Sequence, residues 1–413
     1  MKRVVISGYG VNCCFGFGAE VLRTALRSGR SGVRFIEELN SYNGLHCKIG
    51  AKIENVNVST IPRVNRRFMG RLAQLGALAA LEARTCSEMG NDLISRPDMG
   101  CIMGSTMGSA QSMDETFRTI IASNNLGEVS GIQFFKCASH TVAMNVAQLL
   151  GIKGSILSTA SACSSSLQSI GLGYQLIRSG ILDAAFCGGA EELHALAIGS
   201  FDSLFAASTS YNDTPQLSPR PFDADRDGLV CGEGAGVLVL ESLESALTRG
   251  ATIHGEVLGY STCGNTNNIS QSDSESITRC IVQALADAGI NADKVDYVCA
   301  HATGTRQGDA AEAAAIAAVF GNNVPVSSLK GALGHTLGAS GVIETVASLI
   351  MMNEGEIYPT VNLDHPSDDC NGIMHVREKL ERPIDIFLKN SFAFGGINAV
   401  LVCGKYHETK RYL

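Results

Sequence analysis

The chain has 413 residues, 45% of them hydrophobic and 17% charged, with 45 glycines and a formal net charge of −8. This composition is typical of a compact α/β protein and excludes an intrinsically disordered chain. The acidic balance argues against nucleic acid as the main partner. The apolar runs all fall short of the ~20 residues of a membrane span, so we expect no membrane span and a cytoplasmic location.

Cysteine is frequent, with 14 residues scattered along the chain and no C-x-x-C pair. Most of these cysteines lie in apolar or small-residue runs. This pattern favours reduced, buried thiols over a disulfide framework, a zinc ribbon or a dithiol redox motif.

The first predicted elements are a strand over residues 3–6 and a long helix over residues 66–84. This helix begins in a basic cluster of Arg63, Arg66, Arg67 and Arg71, which stands out in an acidic protein. Further apolar runs predict strands over residues 100–103, 154–157, 184–187, 236–240, 297–300 and 399–402. Because these runs are uniformly apolar, we predict largely parallel sheets that are covered by helices on both faces.

A faint internal repeat accompanies these elements. Gly8-Tyr9 recurs as Gly259-Tyr260, and the strand of Cys101 recurs as that of Cys299. A third echo pairs residues 139–143 with residues 334–338. The repeat predicts two related halves, residues 1–250 and 251–413, each giving one sheet and packing as one body.

Cys163 lies among small residues in the run 158–167, at the predicted turn from a buried strand into a helix. A helix N-terminus offers free N–H groups and a partial positive charge, which favour a thiolate. The position suits a nucleophile. A buried structural cysteine is the alternative, and this stretch alone does not decide between them.

Two histidines, His301 and His335, are each surrounded by Gly, Ala and Thr at predicted strand ends or helix starts. Together with Cys163 upstream, they predict an assembled site. A zinc site formed by the same three residues is the alternative, but it lacks short-range ligand spacing, so we predict no metal. The Gly-rich turn at residues 390–398 could direct backbone N–H groups at an oxyanion.

From residue 4 to residue 402 the chain resembles the elongating beta-ketoacyl-acyl-carrier-protein synthases. The motifs that carry the resemblance occur in the same order, at residues 159–165, 220–223, 226–228, 232–236, 301–305, 330–341 and 390–398. The resemblance implies the thiolase fold, an α/β architecture of five αβαβα layers with two related halves. It also implies decarboxylative Claisen condensation of an acyl thioester on Cys163 with malonyl-acyl carrier protein, giving 3-oxoacyl-acyl carrier protein and CO2.

The resemblance also implies the roles of single residues. His301 and His335 promote decarboxylation, and backbone N–H groups of Cys163 and Phe394 form the oxyanion hole. Lys330 and Glu312 support the histidines through an ion pair.

For substrate and partner, the resemblance implies three further groups of residues. Thr303 and Thr305 bind the phosphopantetheine arm, which the carrier protein supplies, so no cofactor of the chain's own is expected. The acyl pocket and its gate comprise Phe201, Met107, Phe394, Gly395 and Gly396. The acidic acyl carrier protein docks on Arg63, Arg66 and Arg67.

Departures from the family pattern surround substrate and partner contacts rather than the chemistry. Ile397 replaces a threonine, and Phe205 stands where a basic docking residue is common. The segments 191–194 and 201–205 resemble synthases of aryl polyene pathways, which suggests a specialised enzyme.

For assembly, a homodimer is expected, and a heterodimer with an inactive, chain-length-factor-like sister subunit is the alternative. For function, the alternatives are a non-decarboxylating thioester acyltransferase and a scaffold with vestigial catalytic residues.

Overall fold

The computed structural model describes residues 1–266 and 268–408. Its strands are β1 Val4–Cys13, β2 Gly16–Phe17, β3 Arg34–Phe35, β4 Ile49–Gly50, β5 Met99–Gly104, β6 Ile156–Thr159, β7 Ala184–Glu191, β8 Gly234–Ser242, β9 Gly255–Gly264, β10 Tyr297–Cys299, β11 Pro325–Ser327, β12 Glu356–Ile357, β13 Met374–His375, β14 Leu380–Glu381, β15 Ile386–Ala393 and β16 Ile397–Gly404.

The α-helices alternate with these strands, in an order typical of α/β proteins. They are α1 Ala19–Arg27, α2 Arg63–Arg66, α3 Arg71–Ser87, α4 Asn91–Ile94, α5 Ala110–Ser123, α6 Gln133–Cys137, α7 Thr141–Leu150, α8 Ser165–Arg178, α9 Ala195–Ser203, α10 Leu243–Thr248, α11 Ser274–Ala288, α12 Arg306–Phe320, α13 Lys330–Leu333 and α14 Ser340–Glu354.

The strand order repeats within one continuous 12-stranded sheet. β1-β8-β7-β5-β6 forms one side and β9-β16-β15-β10-β11 the other, and the two sides join where β1 pairs with β9 over three residues. The expectation of two largely parallel sheets is wrong on both counts, because the sides are hydrogen-bonded and the sheet is mixed. β15 and β16, for example, are antiparallel because a tight glycine turn joins them.

Two of the three sequence echoes fall on equivalent strands of this sheet. Gly8 and Gly259 lie on the equivalent strands β1 and β9, and Cys101 and Cys299 on β5 and β10. The third echo is wrong, since residue 140 precedes α7, whereas His335 lies just ahead of α14, the counterpart of α8. The turn of His335 therefore corresponds to the turn of Cys163.

Close helix packing explains the two equivalent glycines. A Cβ on Gly8 would lie 2.6 Å from the Cβ of Ser87 in α3, and one on Gly259 would lie 2.6 Å from the Ala284 carbonyl oxygen in α11. Only glycine allows the helix backbone this close to the strand.

Five layers follow from the helix contacts. α3 and α7 cover one face of the first side, α11 and α12 cover the outer face of the second side, and α8 and α14 pack together between them. Residues 340–352 of α14 are all buried. A helix buried on every side is typical of the centre of a large core, and the predicted αβαβα architecture is confirmed.

The predicted helix over residues 66–84 is two helices, α2 and α3, separated by residues 67–70. Gly70 precedes α3 in an extended conformation. Arg71 then points inward, and its guanidinium donates 2.9 Å and 2.5 Å bonds to the buried Glu233 carboxylate.

β6 lies at the end of the sheet, with one edge unpaired in this chain. Ile156 is 47% and Leu157 38% exposed, so the prediction of a buried strand is wrong for the single chain. The apolar run alone could not distinguish a central strand from an apolar edge.

In the ranges that the structure describes, no helix combines the length and apolar character needed to cross a membrane.

Candidate active site

Cys163 lies in a sharp turn between β6 and α8. The preceding residue, Ala162, adopts a left-handed conformation with φ of 47°. Ser165 stabilises the turn, because its hydroxyl donates a 2.7 Å bond to the Ala162 carbonyl and accepts one of 2.9 Å from the Ser161 N–H. The small side chains of this run thus serve the geometry of the turn.

Serines also tie this turn to the other side of the sheet. The Ser391 hydroxyl in β15 donates a 3.0 Å bond to the Cys163 carbonyl. The Ser164 hydroxyl in turn lies 3.0 Å from the Ser391 carbonyl and 3.1 Å from the Ile397 carbonyl. The nucleophile is therefore held directly against the strands that flank the Gly-rich turn.

The structure brings Cys163, His301 and His335 together, as predicted. The Cys163 Sγ lies 3.0 Å from His335 Nε2, and the two imidazole centroids are 5.1 Å apart at 82°. All three residues are buried. His301 follows β10 and His335 precedes α14, so two separate turns deliver the imidazoles to one thiol.

The charge state differs from the sequence expectation. Burial raises the pKa of the Cys163 thiol to about 12, against the lowering effects of Lys330 and of the backbone N–H groups of Cys163 and Phe394. The expected thiolate is therefore wrong for the resting site, because Cys163 is enclosed in the turn ahead of α8. Burial, together with Lys330, also holds the pKa of both His301 and His335 well below 6.5. The resting site thus holds a neutral thiol and two neutral imidazoles.

The predicted ion pair between Lys330 and Glu312 is wrong. The Lys330 ammonium instead lies 2.7 Å from Glu344 Oε1, and Lys389 lies 2.5 Å from Glu344 Oε2. The three side chains are at most 1% exposed. One buried carboxylate in α14 therefore pairs with two buried lysines close to the histidines.

Glu312 has a different task, which is to hold the loop of His301. Its carboxylate accepts bonds from the backbone N–H groups of His301 at 2.8 Å and Ala302 at 2.6 Å, and from the Asn390 amide at 2.8 Å. Asp309, one turn earlier in α12, accepts the Thr303 N–H at 2.9 Å. Two buried carboxylates thus shape the loop, and Glu312 acts as a positioning residue.

Sequence reasoning missed three residues of this surrounding layer: Asp309, Glu344 and Lys389. A usable signal existed for two of them. Lys389 is a charge within the buried strand β15, and Glu344 is one within the otherwise uncharged first three turns of α14. Charges in such places are almost never buried unless they are paired.

A cavity of about 380 Å³ leads to Cys163 and both histidines. Thr303 and Thr305 line it, with their hydroxyl oxygens 3.1 Å apart. Phe201 and Phe394 line it as well, and their ring centroids are 5.6 Å apart. Met107 is half-buried and lies outside the lining that the described residues form, so the structure does not bring it to this cavity.

The turn that carries Phe394 depends on two glycines. Gly395 and Gly396 have φ of 95° and 72°, in the left-handed region that favours glycine. A Cβ on Gly396 would lie 2.0 Å from the Asn265 carbonyl oxygen. The turn also bonds to the loop after β9, since the Gly395 N–H donates to the Ile269 carbonyl at 2.7 Å.

The predicted docking arginines lie in and just after α2. Arg63 and Arg67 are exposed and Arg66 is half-buried. None of the three has an acidic partner within residues 1–266 and 268–408. Arg71, the fourth member of the sequence cluster, is used internally by Glu233.

The zinc alternative has a geometric basis, because donor atoms of Cys163, His301 and His335 all lie within 4.8 Å of one another. The surrounding charge opposes it. Lys330 lowers the pKa of both histidines, and the same positive charge would repel a second cation. We therefore favour a hydrogen-bonded thiol–imidazole site.

Comparison with known proteins agrees with this geometry. Residues 1–246 match the family "Beta-ketoacyl synthase, N-terminal domain", and residues 254–364 match "Beta-ketoacyl synthase, C-terminal domain". The 3-oxoacyl-[acyl-carrier-protein] synthase 1 of Escherichia coli is 34% identical over 410 residues, which cover 99% of this chain and 100% of that protein.

Solved structures extend the similarity to three dimensions. A beta-ketoacyl synthase from Burkholderia phymatum has a TM-score of 0.95 and 38% identity, covering 98% of this chain and 100% of that one. The ishigamide ketosynthase/chain length factor has a TM-score of 0.92 and 32% identity, with the same coverage. The chain belongs to the beta-ketoacyl synthase family.

Proposed function

We propose that Cys163 carries the acyl group in the decarboxylative condensation typical of this family. The observation that carries the assignment is the Cys163 Sγ itself. It faces a neutral His335 imidazole at 3.0 Å and the backbone N–H groups of Cys163 and Phe394, at the end of a cavity. N–H donors aimed at one point suit a developing oxyanion.

In the first half-reaction, the sulfur attacks the acyl thioester of a carrier protein. His335 Nε2 takes the thiol proton and returns it to the departing phosphopantetheine sulfur, so no net proton is released. The Nδ1 atoms of His301 and His335 have no hydrogen-bond partner in the described chain. No hydrogen bond to Nδ1 within the described chain fixes the tautomer of either imidazole. His335 Nε2 can therefore accept a proton in one half-reaction and donate one in the other.

In the second half-reaction, malonyl-acyl carrier protein loses CO2. N–H groups of His301 and His335 stabilise the enolate on the thioester oxygen, and its carbon attacks the acyl-Cys163 carbonyl. The tetrahedral oxyanion is held by the N–H groups of Cys163 and Phe394, and its collapse releases the Cys163 thiolate. One proton from solvent restores the thiol, and 3-oxoacyl-acyl carrier protein leaves.

One experiment tests this assignment. Incubation with acyl- and malonyl-acyl carrier protein should give CO2 and a 3-oxoacyl product, and Cys163→Ser should abolish acyl-enzyme formation. Acyl transfer without CO2 would indicate the non-decarboxylating acyltransferase, and a chain unlabelled at Cys163 would indicate a scaffold. Mass spectrometry of the group trapped on Cys163 would also show whether an aryl polyene chain is carried, which stays a prediction.

For the partner, we infer an acyl carrier protein that docks on Arg63, Arg66 and Arg67. Three arginines without acidic partners in the described ranges suit an acidic surface. Thr303 and Thr305 would bind the phosphopantetheine arm, with Phe394 as the gate. Changing the three arginines together to Glu should weaken carrier binding, most at low salt, and unchanged affinity and salt dependence would contradict docking there.

For assembly, we infer a homodimer that covers the free edge of β6. The same half of the chain exposes further large apolar side chains, namely Phe117 and Ile121 in α5 and Phe134 in α6. An unpaired strand edge with exposed apolar side chains is a template for pairing with a second chain. A heterodimer is the alternative, since the ishigamide relative pairs with a chain length factor. Native mass spectrometry of the purified chain distinguishes them.

We also infer a division into residues 1–250, which carry the nucleophile, and 251–413, which carry both histidines; residues 409–413 lie outside the described ranges. The repeated strand order and the two family matches support it. Fourteen free thiols favour a reducing compartment such as the cytoplasm. Limited proteolysis between residues 243 and 254 would test the boundary.

A further inference from the structure

Two cysteines on different elements, Cys263 and Cys280, meet at the outer face of the sheet. Ser261 and Cys263 lie two residues apart on β9, so their side chains point to the same face. Ser276 and Cys280 lie four residues apart on α11, which covers that face, and they share one side of the helix. Each cysteine therefore faces the element that carries the other.

The contacts within this cluster bring the two thiols together. Ser261 Oγ lies 3.1 Å from Cys280 Sγ and donates a 2.6 Å bond to the Cys280 carbonyl. The Cys263 thiol donates to the Ser276 carbonyl at 3.4 Å, one turn earlier in α11. The Cys263 and Cys280 thiols are themselves within hydrogen-bonding reach of each other. Thiols in contact on two adjacent elements are close to the geometry of a disulfide bond. We call Cys263 and Cys280 the thiol pair.

The two members of the thiol pair differ in exposure and in charge. Cys263 is half-buried, whereas Cys280 is buried. The Cys280 thiol and the Arg279 guanidinium lower the pKa of Cys263, although burial opposes them. The same contact with Cys263, together with burial, raises the pKa of Cys280. Cys263 is thus the thiolate that an oxidant from solvent reaches, and Cys280 is the neutral thiol beside it.

The catalytic thiol is the opposite case. Cys163 is buried, and burial raises the pKa of its thiol to about 12. Arg279, in contrast, is fixed beside Cys263, because its guanidinium donates a 3.0 Å bond to the carbonyl of the next residue, Gly264. Since the thiolate rather than the thiol is the reactive form, an oxidant should react with Cys263 before it reacts with Cys163.

We propose that the thiol pair is an oxidation site, in which Cys263 reacts with hydrogen peroxide and Cys280 then closes a disulfide bond. The Cys263 thiolate attacks one peroxide oxygen and the O–O bond breaks. The products are the sulfenic acid of Cys263 and a hydroxide ion, which takes up the proton that the thiol had released and leaves as water. The negative charge of Cys263, which raises the pKa of Cys280, is then gone.

In the second step, the Cys280 sulfur attacks the sulfenic sulfur of Cys263. The S–S bond forms, the S–O bond breaks, and the hydroxyl group leaves with the Cys280 proton as a second water. Overall, two thiols are oxidised to a disulfide while one hydrogen peroxide is reduced to two waters. In a reducing compartment such a bond is transient, which is typical of redox sensing rather than of a structural disulfide.

The test treats the purified full chain with a small excess of hydrogen peroxide at neutral pH, alkylates the remaining thiols and maps the peptides by mass spectrometry. The expected product is a Cys263–Cys280 cross-link that lacks two hydrogen atoms and is reversed by dithiothreitol. Cys163 should still be alkylated at this dose. A chain in which Cys263 stays free while Cys163 is oxidised would overturn the proposal.

Three variants separate the two steps. In Cys280→Ser, oxidation should stop at the sulfenic acid of Cys263, which dimedone labels. In Cys263→Ser, Cys280 should remain a free thiol, because it is buried and has lost the sulfur to which it bonds. Arg279→Met keeps the length of the side chain but removes its charge, and it should slow the oxidation of Cys263 by about threefold to tenfold, the effect of up to one pKa unit.

Cys86 is the internal control. It is half-buried like Cys263, but its sulfur lies 3.5 Å from His254 Nε2, and burial raises its pKa. Cys86 should therefore stay alkylated at a peroxide dose that closes the thiol pair. Oxidation of Cys86 ahead of Cys263 would overturn the proposal, and so would a Cys263 disulfide between two chains, which non-reducing electrophoresis detects.

Discussion

Replacing Glu344 by Gln tests whether one carboxylate holds the charge balance close to the catalytic histidines. The change keeps the side-chain size but leaves Lys330 and Lys389 as two buried cations without their shared anion. Both ammonium groups lie within 2.7 Å of a Glu344 oxygen in the native protein. The Gln carbonyl oxygen can accept hydrogen bonds from the ammonium groups, but it carries no negative charge to set against theirs.

The expected loss follows from burial. Breaking a buried ion pair by removing one partner costs about 3–5 kcal/mol, because the remaining charge is desolvated and unpaired. For 413 residues, an unfolding entropy of about 2.1 cal/mol/K per residue gives about 0.9 kcal/mol/K. The melting temperature should therefore fall by about 3–6 °C.

Far-UV circular dichroism is the assay, since the chain has no tryptophan. Lys389→Met is the matched control, because it keeps the Lys330–Glu344 pair and should cost less. The double variant should lose less than the sum of the two single losses, because Lys389 is no longer left unpaired. Additive losses, or a shift of less than about 1 °C for Glu344→Gln, would refute this account.

Three further predictions concern the histidines and the metal alternative. Because the pKa of His335 is lower in the folded state, the unfolded state binds more protons below pH 6.5. The free energy of unfolding of the wild type should therefore fall, relative to that of His335→Asn, by up to about 1.4 kcal/mol per pH unit as the pH falls. A difference in melting temperature between the two that does not depend on pH would contradict this. Glu312→Gln places an amide against the His301 and Ala302 N–H groups and should lower kcat by about 10- to 100-fold; an unaltered kcat would show that the loop does not need this carboxylate. Dialysis against a chelator should leave activity unchanged, whereas loss of activity that zinc restores would favour the metal site.

Local patterns predicted much of the fold. Runs such as residues 236–240 are buried strands because uninterrupted apolar side chains need cover on both faces. Cys163, His301 and His335 were found for a similar reason, since reactive side chains among glycine and alanine are unusual. The predictions that were wrong concern features that depend on the assembled molecule. The partner of Lys330 lies 14 residues further on in a buried helix, and although the lone charge of Glu344 in an apolar helix indicates a buried pair, it does not indicate which cation completes it.

Two other misses have the same origin. The pKa of Cys163 depends on how deeply the finished fold encloses it, and burial overrides the helix terminus that the sequence revealed. The exposure of Ile156 depends on where β6 falls in the strand order, which the apolar run does not encode.

Because β1 and β9 pair over only three residues, the catalytic rate is a sensitive measure of how the two sides of the sheet are aligned. Cys163 follows a strand on one side of this seam, whereas His301 follows a strand on the other side and His335 precedes α14. A slip of one residue would move them by about 3.3 Å, whereas a misplacement of about 1 Å can already cost 100-fold in rate. Such a slip would hardly change the helix and strand content. Turnover therefore detects misaligned molecules that spectroscopy would count as folded.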